Sequence, residues 1–492
     1  MGGVLAAVVA LLILFVTRSP GPGLDPDGMA YLGAAQSLVR SGTLRVPTGE
    51  WSNPDSTSAL SFWPPGYPAA IAIPVVAGLA PVQGARFVNV VAAALTAATI
   101  FFIITAATSG PAGITAVLVT FVTAAVLDVH LSILSEPLFI ACLTLTVAAM
   151  VYARDRLWLL GILAAATVMV RYAGACAPMA VVAWTLLDSR FAVGRRIQRA
   201  VVVALLPALA IIAWVVRTAL ATDRHGTPHI AIYGHWDFTL RQWGETLSQW
   251  LMPLVPGVVQ YWLAAAFGMV LVLLLFATVR DTASSRLRQA PAARVATMLG
   301  VVSLMAFFYL AVICVSRLLV GGTIPFDWRI MAPLIVLLEI MTVVSVAHWW
   351  RAYHRPLQVC ILLVALTWGA ASAVLTSNDA IEAVTNGSDF AASQWRESPS
   401  LAWVRERGKG YALYSNWPSA IYFHAHRIAR ELPDSDEVRH ELSDFAKVLR
   451  ASNGIIVGFK ERSPDVVAPD SLAKLLGLRT LARFPDGTVW GI

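Results

Sequence analysis

A succession of apolar runs constrains this chain more than any other feature. They fall at residues 2–17, 84–107, 111–127, 136–153, 157–170, 173–187, 200–220, 258–279, 296–316, 330–347 and 357–376. Runs of about 20 apolar residues match the hydrocarbon thickness of a bilayer, and inside a bilayer a helix satisfies its own backbone. The pattern predicts an all-α polytopic membrane bundle of about 11 transmembrane helices. A composition with 58% hydrophobic and 13% charged residues agrees, lying far from the soluble balance.

After Thr376 the composition turns mixed. Residues 1–376 are therefore expected to form the transmembrane domain and 377–492 a small C-terminal α/β domain. Within the latter, strands are expected at 410–416 and 454–459, helices at 443–451 and 471–476, and a last edge strand at 489–490. The large connections are expected at 18–66, 128–135 and 222–257.

Two segments decide the topology. Residues 67–82 are short and interrupted by Pro68, Pro74 and Pro81, which suits an interfacial or re-entrant piece. Residues 157–187 are too long for one helix and read as a hairpin with Arg171 at its tip. With those assignments the arginines at 154/156, 190–199, 280–294 and 351/355 share one side, which the positive-inside rule places in the cytoplasm. The expected protein sits in the inner (plasma) membrane, N-terminus cytoplasmic and C-terminal domain extracytoplasmic. Residues 2–17 lack a basic n-region and a cleavage site, so they read as a first helix rather than a removed signal.

Net charge is +7, yet every basic residue up to Thr376 is an arginine, mostly in short loops. That is an orientation signal and no phosphate-tracking stripe, so nucleic acid is not an expected partner. Cys142, Cys176, Cys314 and Cys360 lie singly in apolar runs and read as core residues, without a disulfide or a cysteine metal site. Of fourteen carboxylates before Thr376, ten fall on the outer side of this topology, Asp25, Asp27, Glu50, Asp55, Asp128 and Glu136 among them.

Several residues stand out against this background. Asp25 and Asp27 follow the first apolar run, Tyr31 lies one helical turn beyond Asp27, and the turn Phe62-Trp63-Pro64-Pro65-Gly66-Tyr67-Pro68 closes the loop. Asp27 is either the N-cap of the following helix or a catalytic carboxylate. Asp128, His130 and Glu136 crowd a second outer turn. There Ser135 reads as a cap and Glu136-Pro137 as a first helical turn, unless the three acids and bases belong to a site or bind a divalent metal. Arg171 is too deep for an orientation charge and is either an anion ligand or paired with a carboxylate. Arg86 either snorkels or binds phosphate; Arg329 either binds phosphate or pairs with Asp327. Glu339 is expected to pair inside the bundle. His225, His229, His235, Trp236, Asp237 and Trp243 are either plain loop polarity or an acceptor lid.

Asp27-x-x-x-Tyr31 with Ala34, Leu38 and Gly42, followed by Pro64-Pro65-Gly66-Tyr67-Pro68, resembles the first outer loop of the glycosyltransferase C superfamily. The likeness is to protein O-mannosyltransferases, the lipid A aminoarabinose transferase and related family 39/83-type proteins, over roughly residues 1–350. It implies an inverting hexosyl- or pentosyltransferase taking its sugar from a polyprenyl-phosphate donor to a lipid, glycan or protein acceptor. The catalytic carboxylate maps to Asp27, with Asp25, Asp128 and Glu136 as accessory acids. Arg171, Arg86 and Arg329 would hold the donor phosphate, and Tyr31, Tyr67 and His130 the substrate. Many relatives carry a second acid directly after the catalytic one, where this chain has Gly28. No metal ligand set is assigned, and a divalent metal stays open. The rival readings are a lipid-linked-sugar flippase or other transporter, and an assembly protein. Transport fits poorly with a chain that has no evident repeat and whose acids gather on one side; assembly leaves the Asp27 constellation unused.

Overall fold

The computed structural model describes residues 1–52, 57–221, 234, 236–285, 290–320, 326–435, 438–463 and 466–492. Asp55, Asp223, His225, His229, His235, Arg286 and Arg288 lie outside them. The chain opens with α1 (Gly2–Val16) and α2 (Pro26–Ser41), the antiparallel ribbon β1 (Arg45–Val46) with β2 (Ser58–Ala59), and α3 (Gly66–Val76). It continues through α4 (Pro81–Ala107), α5 (Gly110–Val122), α6 (Ala124–Leu131), α7 (Glu136–Tyr152), α8 (Leu157–Val170) and α9 (Cys176–Leu187). Next come α10 (Val193–Ala221), α11 (Trp236–Leu251), α12 (Gly257–Ser285), α13 (Ala290–Leu319), α14 (Trp328–Trp349) and α15 (Arg355–Thr385).

Six of these, α4, α10, α12, α13, α14 and α15, are long and apolar enough to cross a membrane. Helices α5 and α6, bent by 63° about Thr123, add a seventh if counted as one span. Helices α1, α3, α7 and α8 are shorter and apolar, as is α9 with the turn before it. The chain is a multi-pass membrane protein. Helix α14 is the most enclosed and packs against α5, α6, α7, α12 and α13. Helices α12 and α15 instead turn Trp262, Val270, Phe276, Leu362 and Leu366 outward. A helix apolar all round with its side chains exposed is one solvated by lipid.

The segment at 67–82 resolves physically. Helix α3 ends eleven residues after it starts, with Pro74 inside it, and Pro81 opens α4. Proline is pre-shaped for a first helical turn and disruptive later, so one run of residues both ends a helix and begins one. The expected loop at 222–257 is helical over Trp236–Leu251. This is a correction: its tryptophans and polar residues belong to an amphipathic helix that buries Thr239, Thr246, Ser248 and Trp250 and exposes Phe238 and Leu240. Elsewhere, Arg190 ties the α7–α8 and α9–α10 connections together, bonding Asp188 at 2.7 Å and Asp155 at 3.1 Å. The Arg190 hydrogen bonds hold both carboxyls below the usual range, against the opposing effect of burial.

The chain divides into two compact units. The first comprises Met1–Val16, Trp63–Tyr67 and Arg86–Glu382; the second comprises Thr17–Phe62, Pro68–Ala85 and Ala383–Ile492. In the second, a five-stranded sheet of β3 (Ala412–Ser415), β4 (Ala429–Glu431), β5 (Gly454–Phe459), β6 (Arg479–Arg483) and β7 (Gly487–Gly491) has the order β4-β3-β5-β7-β6. The β4-β3-β5 part is parallel and the β5-β7-β6 part antiparallel. Every residue of β5 is buried, the mark of a strand covered on both faces. Ile456 joins Tyr414, Phe445, Leu449, Leu472 and Trp490 on one face. Phe459 meets Trp395 on the other, beside Phe390 and Trp417. Strand β7, expected at an edge, lies inside the sheet; the edge is β6, which carries Arg479 and Arg483 at its ends. Charged ends are a common protection for such a strand.

Candidate active site

The first unit gathers its charges around Glu136, the first residue of α7. Its carboxylate is fully buried. Arg171 Nη1 lies 2.8 Å from Glu136 Oε1, and Arg329 Nε donates to the same oxygen. Ser135 Oγ donates to Glu136 Oε2 at 3.3 Å and accepts from Arg171 Nη1 at 3.1 Å. Ser135 makes no side-chain cap bond, so its expected capping role gives way to one inside this cluster. Glu136 gains from the helix N-terminus, where negative charge is favoured. Two guanidiniums thus converge on one carboxylate, and the arginine side chains stay 16% and 25% exposed.

Backbone breaks put those arginines there. Arg171 follows the last residue of α8, in extended conformation, and a 3-10 turn (Tyr172–Ala175) leads into α9. The chain reverses so tightly that a Cβ on Gly174 would stand 2.2 Å from the Thr167 carbonyl oxygen. Helices shortened in this way can aim a side chain that a continuous span would turn toward lipid. Gly66, from the Pro-Pro-Gly-Tyr-Pro turn, presses on the same place: its Cβ would lie 2.5 Å from the Met169 carbonyl oxygen and 2.8 Å from Val170 N. Only glycine permits that approach.

Arg329 sits in the first turn of α14. A cation there opposes the helix dipole, and Glu136 compensates. Asp327 is the N-cap of this helix and accepts from Ile330 N at 3.0 Å, while Tyr309 donates to Ile330 O at 2.6 Å. Arg329 thus bonds Glu136, while Asp327, the expected local partner, serves as the cap. One turn on, Pro333 has no amide for the Arg329 carbonyl.

The other expected residues of this unit divide. Tyr67 is fully buried and donates to Asn89 Oδ1 at 2.8 Å, and Asn89 Nδ2 donates to Ser132 O at 2.8 Å. These bonds lace the proline turn, α4 and the second outer turn together. Arg86 donates to the Leu14 carbonyl near the end of α1. His130 is buried, its Nδ1 donating to Val126 O at 2.7 Å and its ring edge-on to Phe121. Asp128 is exposed and lines a separate cavity. The Asp128–His130–Glu136 metal set does not assemble, and no group of three or more His, Cys, Asp or Glu gathers among the described residues. Glu339, fully buried in α14, accepts from Thr123 Oγ1 and from Trp250 Nε1 at 3.3 Å. Asn89 and Tyr309 were not anticipated. Asn89 is a lone amide in an apolar run and could have been noticed; Tyr309 gives no local signal.

Asp25, Asp27 and Tyr31 belong to the second unit. Asp25 is the N-cap of α2 and accepts from Gly28 N at 2.7 Å, so the capping role expected of Asp27 falls two residues earlier. Asp27 lies in the first turn and is half-buried; Tyr31 is buried. The C-terminal part holds this helix just before its start and along its flank. Phe390 N donates to Leu24 O at 2.9 Å, directly before the cap, and Tyr422 OH donates to Gln36 Oε1 at 2.9 Å. Farther along the loop, Glu431 N donates to Gly49 O at 3.0 Å and Trp51 Nε1 to Glu441 Oε2 at 3.2 Å. His424 Nε2 donates to Phe390 O at 2.7 Å, and burial pushes this imidazole below its ordinary pKa.

No protein-family model matches the sequence, and neither does any curated protein. Solved structures do. The aminoarabinose transferase ArnT from Cupriavidus metallidurans, bound to undecaprenyl phosphate, aligns at 14% identity with a TM-score of 0.59, covering 99% of this chain and 97% of that one. Its apo form gives a TM-score of 0.61. The fold is that of glycosyltransferase C enzymes. The oligosaccharyltransferase of Archaeoglobus fulgidus, in complex with zinc and sulfate, aligns at 11% identity with a TM-score of 0.57 over 92% of this chain and 68% of that one. The glycosyltransferase C likeness thus extends over nearly the whole chain, beyond the 1–350 expected from the first loop.

Proposed function

We propose that this protein is an integral-membrane glycosyltransferase that moves a sugar from a polyprenyl-phosphate donor to an acceptor hydroxyl, on the outer face of the cytoplasmic membrane. The observation that carries the reading is the pair of partly exposed guanidiniums held on one buried carboxylate. Planar paired donors suit phosphate oxygens, and guanidinium charge suits a departing phosphate. That ArnT with undecaprenyl phosphate shares the fold supports the donor class.

In this scheme the acceptor oxygen attacks the anomeric carbon from the face opposite the phosphate, which inverts configuration. The carbon–oxygen bond to phosphate breaks and its electron pair leaves with the phosphate, whose charge Arg171 and Arg329 neutralise. Asp27 takes the acceptor proton as general base. Asp25 starts the Asp27 helix, and the C-terminal part orients that helix through Phe390 and Tyr422. Glu136 fixes the arginines; Tyr67 and His130 serve the framework, and Arg86 is left as an outer donor to lipid phosphate. Tyr31 supports the face that carries Asp27.

We count the seven long spans together with the shorter apolar α1, α7, α8 and α9 as eleven crossings, and α3 as a re-entrant piece. On this reading, with the positive-inside rule, the N-terminus is cytoplasmic, the C-terminal part after α15 is outside, and the acids of both outer turns face outward. Mass spectrometry of envelope glycans, lipids and glycoproteins from cells lacking the protein tests the reading. One glycan species is expected to lose a sugar and to recover it with the native gene. An unchanged glycan profile contradicts it.

A further inference from the structure

The α7–α8 and α9–α10 connections build a second charged group in the first unit, at the far end of α7 from Glu136. Phe191 organises it. Arg190, Arg195 and Arg199 hold their guanidinium carbons 5.2, 5.5 and 4.4 Å from its ring centroid, and Arg196 Nε donates to its carbonyl at 2.6 Å. Arg190 is engaged with Asp155 and Asp188, while Arg199 Nη2 donates to Asp155 Oδ1 at 3.0 Å and to the Arg154 carbonyl at 3.1 Å. The charge of Arg154 reaches both carboxyls as well.

Five arginines thus gather about two carboxylates. The positive-inside rule asks only that arginines lie on one side of the membrane, not that they converge on one ring. Like charges held this close repel, and an aromatic face offsets only part of that cost. Among the described residues, the guanidiniums of Arg154 and Arg195 donate no hydrogen bond, and both residues are exposed. The group therefore has donors left for an anion from outside the chain. Its borders are apolar: Trp158, Leu187, Val193 and Ile197 are each more than half exposed. Val193 and Ile197 begin a row on α10 that continues at every fourth position through Val201 and Leu205, also more than half exposed. Tryptophan beside arginine at the end of an apolar helix marks the depth of lipid headgroups.

We propose that this cluster binds one anionic phospholipid, its phosphate on Arg154, Arg195 and Arg196 and its acyl chains along the exposed row of α10. Planar guanidinium donors match phosphate oxygens, and basic groups at helix ends on the side read as cytoplasmic attract anionic headgroups. A free phosphate has no use for the apolar row. A zwitterionic headgroup brings its own cation against five arginines. The bound headgroup joins the two connections and so closes the base of the α8–α9 hairpin, whose tip is Arg171. The site is independent of sugar transfer and requires neither Glu136 nor Asp27.

Native mass spectrometry of the full chain in neutral detergent tests this, with dioleoyl phosphatidylglycerol, dioleoyl phosphatidylethanolamine and inorganic phosphate as probes. One phosphatidylglycerol is expected to stay bound at concentrations where phosphatidylethanolamine does not, and millimolar phosphate should not displace it. Arg195→Gln should weaken binding about fivefold, the worth of one basic residue against anionic lipid, and Arg154→Gln with Arg195→Gln about twenty-fivefold. Both arginines are exposed and donate no bond among the described residues, so these variants keep the fold. Val193→Ser with Ile197→Ser should also weaken binding, through the acyl chains. Arg351→Gln, in the α14–α15 connection, should leave it unchanged. Equal retention of the two lipids, displacement by inorganic phosphate, native affinity in either double variant, or an equal loss in Arg351→Gln overturns the proposal.

Discussion

The two acidic centres of this protein are held in opposite ways. Glu136 is fixed by charge, between two arginines reaching it from breaks in separate helices of one bundle. The helix that carries Asp27 is fixed through neutral hydrogen bonds, its start to Phe390 and its flank to Tyr422, more than 350 residues along the chain. A buried ion cluster is intolerant of losing a member, because the remaining charges stay buried without compensation. A helix held by neutral hydrogen bonds loses precision instead of folding when one bond is removed. The first arrangement suits a permanent anion-binding frame and the second a base that must be aimed.

Substitutions can break or sharpen this contrast. Asp27→Asn is expected to lower turnover by about 10²–10⁴-fold, the usual worth of a general base, while leaving thermal unfolding unchanged. Near-native turnover would place the base elsewhere. Glu136→Ala should destabilise the protein by about 3–5 kcal/mol, read as an earlier unfolding transition in detergent. An unshifted transition would mean that the arginines do not depend on it. Gly66→Ala should cost about 1–3 kcal/mol, since its methyl group meets the Met169 carbonyl, and should disturb Arg171 next to it. Tyr422→Phe should have the smallest effect. It removes one hydrogen bond worth about 0.5–1.5 kcal/mol, and is expected to lower kcat with the donor KM unchanged. A changed donor KM with kcat preserved would deny the C-terminal part its aiming role.

Much of the frame was legible in the sequence. Apolar runs located the helices because bilayer thickness sets their length, and the single charges at the ends of those runs marked Glu136, Arg171 and Arg329. What could not be read was their meeting: Glu136 and Arg329 stand 193 residues apart, and nothing local announces the pair. Asp25 and Asp27 both suit a cap, and only backbone geometry selects Asp25. Helix α11 was hidden because an amphipathic helix rich in tryptophan and polar residues has the composition of an interfacial loop. The attachment of α2 to the C-terminal part rests on main-chain and single side-chain bonds, which leave no periodic signature.

The most direct measurement is the affinity of the purified protein for undecaprenyl phosphate, compared among the native chain, Arg171→Ala and Arg329→Ala. Each arginine donates charge-assisted bonds worth about 1.5–3 kcal/mol, so each substitution is expected to weaken binding by about tenfold to a hundredfold. Native affinity in both variants would contradict the assignment of this arginine pair to the donor phosphate.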